Sequence, residues 1–304
     1  MLNKFKASMP GFDVNSLLKS VKDSLTEMKT EDLVGGRDAP SCEIVKIRDG
    51  KLPSVVIING FMSENGECSK DWFEIVDELY PDNQVVRVQW KAGNFKDMVF
   101  DKGVVPNAKI ASGSKLGFAA TLMARTNLIG MIATAGGFVV DKVIGHWKAS
   151  FHETRHVAVS LANYLENDVQ FESCILMGHS LGGRIVRHTL NELSTANRVS
   201  VAYVLAGAVS SDDEQWQPIL EKHNRLKLIN CMSMKDYVLK SAYKAGTLWD
   251  HEPAGLSTVM DSNENTVNLD VTDYASGHTD YKQRLLGQYL NQKLQQHNET
   301  LLVS

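Results

Sequence analysis

The sequence predicts an α/β fold, a mostly parallel central sheet covered by helices on both faces. Three observations predict it. Short apolar runs rich in Val, Ile and Leu alternate with longer amphipathic stretches from residue 42 to the C-terminus, the pattern of strands joined by crossover helices. The strands read as nearly continuous apolar runs, as buried parallel strands do. The length, 304 residues, allows a large core within one domain.

The elements follow in order. Residues 1–38 read as an N-terminal helical arm, with Val14, Leu17, Leu18, Val21 and Leu25 at helical spacing and Gly35-Gly36 closing it. The α/β domain is then expected over residues 39–300. Residues 42–48 and the run PSVVIING flank Asp49-Gly50, which predicts a hairpin leading into a central strand. A helix is predicted over 70–79 and a strand over 84–90. Further helices are predicted at 147–165, 181–193, 213–222, just after Asp236 and at 281–295. The remaining strands fall at 173–177, 199–205, 226–232 and 266–271.

Residues 91–146 interrupt the alternation and read as an inserted helical cap or lid. Their second part, rich in Gly, Ala and Met, has a longest uncharged stretch at residues 126–140, shorter than the roughly 20 residues of a membrane span. A cap packed on the domain is the first reading. Contact with a membrane surface through residues 116–140 is the second.

Bulk properties exclude some functions. The net charge is −4 and no long basic run occurs, so nucleic acid is not an expected partner. Cys42, Cys68, Cys174 and Cys231 form no metal-ligand spacing and read as free thiols. No HExxH, P-loop or dinucleotide fingerprint occurs, so no metal and no cofactor is expected. The first 25 residues lack the apolar core of a secretory signal, and cytoplasmic residence, with possible peripheral membrane contact, is the expectation.

The chemistry is signalled at ESCILMGHSLGGRIVRHTL. An apolar strand runs into Gly178-His179-Ser180-Leu181-Gly182 and a helix follows at once. That is a G-x-S-x-G nucleophile elbow in its strand–turn–helix setting, and it specifies the α/β-hydrolase fold. Gly178 and Gly182 lack Cβ atoms, so strand and helix can close around the turn. Ser180 is the expected nucleophile, and the Leu181 N–H, at a helix start, an expected oxyanion donor. His179 reads as packing beside the turn.

The chain order Ser, acid, His places the base late. His188 lies on the elbow helix, His223 sits in a charged helical end and reads as solvated, and His297 lies in a polar tail. His251 is a loop alternative. His278, between a late strand and the last helix, is the preferred base. Asp236, just past the strand LKLINCM, is the preferred acid, with Asp212 and Asp213 as alternatives. Asp213-Glu214 also reads as the first turn of a helix capped by Ser211 or Asp212. The second oxyanion donor is expected from the turn after VIIN, at Phe61 or its neighbour Met62.

The series IINGFMSE, GHSLGGRIV, VAYVLAGAV, NCMSMKDYVL and GHTDY resembles one α/β-hydrolase family, the one containing the transmembrane and coiled-coil domain-containing protein 4. The resemblance covers about residues 53–285. It implies Ser180, Asp236 and His278 as the triad positions. Several members carry membrane spans in the region corresponding to residues 100–145, which is shorter and less hydrophobic here. The expected function is a serine hydrolase cleaving a carboxylic, lipid-like ester through an acyl-enzyme. The alternative is a catalytically silent, membrane-associated interaction protein on the same fold.

Overall fold

The computed structural model describes residues 39–61, 69–92, 137–244 and 251–303. The predicted arm over 1–38 and all of the predicted cap except 91–92 and 137–146 lie outside the described residues, as do Met62 and Cys68. Among the described residues seven strands and six α-helices follow one another. They are β1 (Cys42–Arg48), β2 (Lys51–Ile58), α1 (Lys70–Leu79), β3 (Asn83–Trp90), α2 (Gly137–Asn167), β4 (Cys174–His179) and α3 (Leu181–Glu192). Then come β5 (Val199–Leu205), α4 (Asp213–Lys222), β6 (Lys227–Met232), α5 (Tyr237–Lys244), β7 (Thr266–Asp270) and α6 (Arg284–Val303).

The strands form one sheet in the order β1-β3-β2-β4-β5-β6-β7. Only β1 is antiparallel to its neighbour. Val55–Ile58 and all six residues of β4 are buried, as strands covered on both faces must be. The chain steps from β2 to β3 toward one edge. It then returns and steps from β4 through β7 toward the other. Right-handed crossovers in opposite directions place α1 on one face and α2, α3 and α4 on the other. α6 packs against α1, and α2 against α3. The direction of travel reverses between β2 and β4, so the crevice of the sheet opens at their C-terminal ends. Those ends carry Asn59-Gly60 and Ser180.

The hairpin expected around Asp49-Gly50 does not form. β1 pairs with β3, and β3 lies between β1 and β2. β2 is held on one edge by β3 and on the other by β4, which leaves no edge for β1. The two-residue link crosses the start of β3, where Lys51 N–H donates to Asp82 O at 2.7 Å. β1 shows the half-exposed pattern of an edge strand.

Helix α2 begins at Gly137, ten residues before the predicted start. The last helix begins at Arg284, after a 3₁₀ turn at Asp280–Lys282. His223, expected in solvent, is buried. It caps α4 and turns inward, its Nε2–H donating to Leu190 O at 2.8 Å while Nδ1 accepts Asn197 N–H at 3.0 Å. That contact serves a carbonyl near the end of α3 that has no helical partner. Cys42, Cys174 and Cys231 are free and buried, and burial pushes each thiol up to about 12.

Candidate active site

Ser180 follows the last residue of β4 and precedes the first of α3, with φ 57° and ψ −119°. A non-glycine residue rarely adopts that conformation, and here the surroundings impose it. Its N–H donates to Leu205 O at 3.0 Å, and its carbonyl accepts from both Gly183 N and Ala208 N at 3.0 Å. The elbow glycines are required by contact. A Cβ on Gly178 would lie 2.3 Å from Gly182 O, and one on Gly182 would lie 2.1 Å from Ile58 O. Gly60 is a third such position, which the sequence alone marked only as a turn. Its Cβ would stand 2.6 Å from Ser180 Cβ.

The turn at Ser180 raises its hydroxyl toward the loop between β7 and α6. His278 Nε2 lies 2.8 Å from Ser180 Oγ, and His278 Nδ1 lies 2.7 Å from Asp236 Oδ2. A carboxylate only accepts, so Nδ1 carries the proton and Nε2 is left to accept the serine O–H. Asp236 is fully buried, and its other oxygen accepts Leu239 N–H at 3.0 Å, capping α5. Asp236 is thus held by the first turn of a helix.

Two further contacts fix the loop that carries His278. Ser233 Oγ–H donates to Ala275 O at 2.8 Å, tying the Asp236 loop to the His278 loop. His179 Nε2–H donates to His278 O at 2.7 Å. Burial, then the nearby His278 and Lys282, hold the His179 imidazole well below its usual range. It is therefore neutral, and it sits beside the turn as a clamp. The sequence expected it to pack there but carried no signal of the clamp.

The remaining candidates fall elsewhere. Asp212 caps α4 through Glu214 N–H at 3.1 Å, and Asp213 accepts Met260 N–H at 2.6 Å. His251 is largely exposed and approaches Asp212 at 3.9 Å. His188 is buried on α3, and burial, then nearby Arg184, Arg187 and Arg155, hold it well below its usual range. Leu181 opens α3, so its N–H has no carbonyl within the helix to serve. Phe61 follows Gly60 and packs against the core half-buried. Among the described residues no group of three His, Cys, Asp or Glu side chains could hold a metal ion.

A reversal in strand order with a strand–turn–helix elbow seated on it defines the α/β-hydrolase fold. The chain belongs to the family described as Protein of unknown function (DUF726), which matches residues 24–293. A relative in Schizosaccharomyces pombe, named an uncharacterized membrane protein, is 23% identical over 242 residues, which are 76% of this chain. The chain spans 41% of that relative's length. Among solved structures it is similar to mouse α/β hydrolase domain-containing protein 10, at 14% identity and a TM-score of 0.37, covering 88% of this chain and 98% of that one. It is also similar to the naproxen esterase of Bacillus subtilis, at 11% identity and a TM-score of 0.36, covering 94% and 99%. These neighbours are hydrolases; the fold assignment itself rests on strand order and elbow.

Proposed function

We propose that this protein is a serine hydrolase that cleaves a carboxylic ester, with Ser180 as nucleophile, His278 as base and Asp236 as the acid that orients it. The observation that carries the reading is the continuous hydrogen-bonded chain from Ser180 Oγ through His278 to the buried Asp236. Ser180 Oγ attacks the acyl carbon as its proton passes to His278 Nε2. Asp236 stabilises the imidazolium. The carbonyl oxygen becomes an oxyanion, held by the N–H groups of Leu181 and Phe61. His278 then returns the proton to the leaving alkoxide, and the acyl group stays on Ser180. Water, deprotonated by the same imidazole, releases the acid.

The substrate in this reading is lipid-like, the inserted residues 91–146 act as its lid, and residues 116–140, of which 116–136 lie outside the described residues, supply the contact with a membrane surface. Three things support it: the composition of that segment, the name of the yeast relative, and the resemblance to the family containing the transmembrane and coiled-coil domain-containing protein 4. Among the described residues no helix is long and apolar enough to cross a membrane. The inserted residues follow Trp90 in sequence, and Trp90 Nε1–H donates to Asn59 O at 3.1 Å beside the candidate site.

Labelling with a fluorophosphonate tests the chemistry. Wild type should label and hydrolyse p-nitrophenyl esters, and Ser180→Ala should do neither while staying folded. A folded wild type that does neither sinks the reading and favours a silent binding protein. Changing Leu128, Ile129 and Ile132 to polar residues tests the lid. Turnover of long-chain esters in vesicles should fall, and turnover of soluble butyrate esters should hold. Equal loss on both would point to a damaged fold, and no loss on either would remove the lid from the proposal.

A further inference from the structure

We infer that Asn59 and Lys282 are positioning residues for the turn that holds the oxyanion, with the buried Lys282 ammonium acting on the reaction through Asn59. The inference rests on the hydrolase reading above and assigns a role to residues that reading does not use.

Asn59 is buried between the end of β2 and Gly60. Three side chains from three separate elements converge on it. Trp72 of α1 donates its Nε1–H to Asn59 Oδ1 at 2.7 Å. Trp90, the last residue of β3, donates to the Asn59 main-chain oxygen at 3.1 Å. Lys282, in the 3₁₀ turn after the His278 loop, brings Nζ within 3.4 Å of Asn59 Oδ1. A trans peptide is planar, so the Asn59 carbonyl and the Gly60 N–H point in opposite directions. Fixing that carbonyl on Trp90 therefore fixes the plane from which the Gly60-Phe61 turn departs. The turn has no slack at Ser180, because even a methyl group on Gly60 would clash with it.

Lys282 is the unexpected member. A lysine rarely sits buried, because the ammonium loses its hydration. Here it is 8% exposed, pairs with Asp71, and lies over the Trp72 ring at 5.2 Å from the centroid. Tying the C-terminal segment to α1 does not require it. Arg284 reaches Glu78 at 3.5 Å, and Asn291 donates to Glu78 O at 3.0 Å, nearer the surface. What Lys282 adds is a positive charge on the residue that carries the oxyanion turn. Negative charge develops beside that turn in the transition state and not in the bound ester; Asp71 is half-exposed and screened by solvent, so the buried ammonium it pairs with still lowers the barrier selectively. The same lysine lies four residues after His278, so one short segment supplies the base and braces the turn opposite.

The test uses the full chain, p-nitrophenyl butyrate and a butyl trifluoromethyl ketone, which Ser180 captures as a tetrahedral oxyanion. Lys282→Met keeps the stem and removes the charge. It should lower kcat about tenfold, in line with the sensitivity of positioned sites to small displacements. KM should stay within about twofold, and the inhibition constant of the ketone should rise by the factor that kcat/KM falls. Lys282→Arg should restore most of the loss. A merely structural role would lower the unfolding temperature without this parallel. If Lys282→Met does not fold, Trp72→Phe, which keeps the ring and removes the donor to Asn59, should lower kcat about threefold at unchanged KM. A folded Lys282→Met, or failing that a Trp72→Phe, with wild-type kcat and ketone affinity overturns this inference alone. A wild type inert to ester and fluorophosphonate overturns it together with the hydrolase reading.

Discussion

Replacing Asp236 by Asn changes one atom and should reverse the proton on His278. In the wild type, Asp236 Oδ1 accepts Leu239 N–H at 3.0 Å and Oδ2 accepts His278 Nδ1–H at 2.7 Å. An Asn at this position has one oxygen, and the helix amide of Leu239 claims it, because an amide NH₂ cannot accept. The NH₂ then faces His278 Nδ1 and must donate to it. The imidazole proton moves to Nε2, 2.8 Å from Ser180 Oγ, so that Nε2 can no longer accept the serine proton. Keeping the productive tautomer would set N–H against N–H inside a buried site. That leaves hydrogen bonds unmade at about 1–3 kcal/mol each, and the imidazolium also loses its counter-charge. By analogy with other triads, kcat should fall about 10⁴-fold, a barrier increase of about 5.5 kcal/mol. Stability should change by less than about 1.5 kcal/mol, because every buried polar atom keeps a partner. Burst kinetics with a p-nitrophenyl ester measures the first quantity and urea unfolding the second. A folded Asp236→Asn enzyme within tenfold of wild-type kcat would refute the reasoning. Asp212→Asn is the matched control, since Asn caps a helix as well as Asp does; if it is the crippling change, the acid lies on the wrong strand.

Other expectations follow from the same geometry. A Cβ at Gly60 would stand 2.6 Å from Ser180 Cβ, against an ordinary carbon contact of about 3.5–4 Å. Gly60→Ala should therefore push the turn about 1 Å from the elbow and lower kcat/KM about 100-fold, and a wild-type rate would place the turn away from the chemistry. His179 and His188 are held neutral well below the ordinary 6.5, mainly by burial. Unfolding restores their ordinary value, so below about pH 6.5 the unfolded chain takes up protons that the folded chain refuses. Stability is fully present above that pH and falls as pH drops through it, by up to about 1.4 kcal/mol per unit for each histidine. His188→Leu should flatten the slope of urea-unfolding free energy between pH 6 and pH 5 by about one proton; an unchanged slope would show that His188 titrates normally.

Several features were legible in the chain because their causes are local. Strands β4 and β5 and helices α3 and α4 announce themselves by mostly apolar runs and by apolar spacing. The elbow could be read because its glycines, serine and following helix are consecutive residues. Ser180, Asp236 and His278, the side chains the structure brings into contact, could each be singled out as candidates from position relative to a strand end. Other features depend on partners far away in sequence. An Asp-Gly link between two apolar runs reads as a hairpin, yet β3 intervenes, because the crossover through α1 returns the chain to the β1 side of β2. His223 reads as solvated in EKHNR, yet a free carbonyl at the end of α3, contributed from 33 residues earlier, draws it inside. Nothing near Lys282 marks it as buried; its partners come from α1 and from Asn59 just after β2, more than 200 residues upstream. Local sequence determined which segments become strands and helices and which residue types could do chemistry, since period and turn residues act over a few positions. The tertiary structure alone decided sheet order, the burial of polar side chains and the 2.7–2.8 Å contacts that join Ser180, His278 and Asp236, because those depend on which distant surfaces the crossovers bring together.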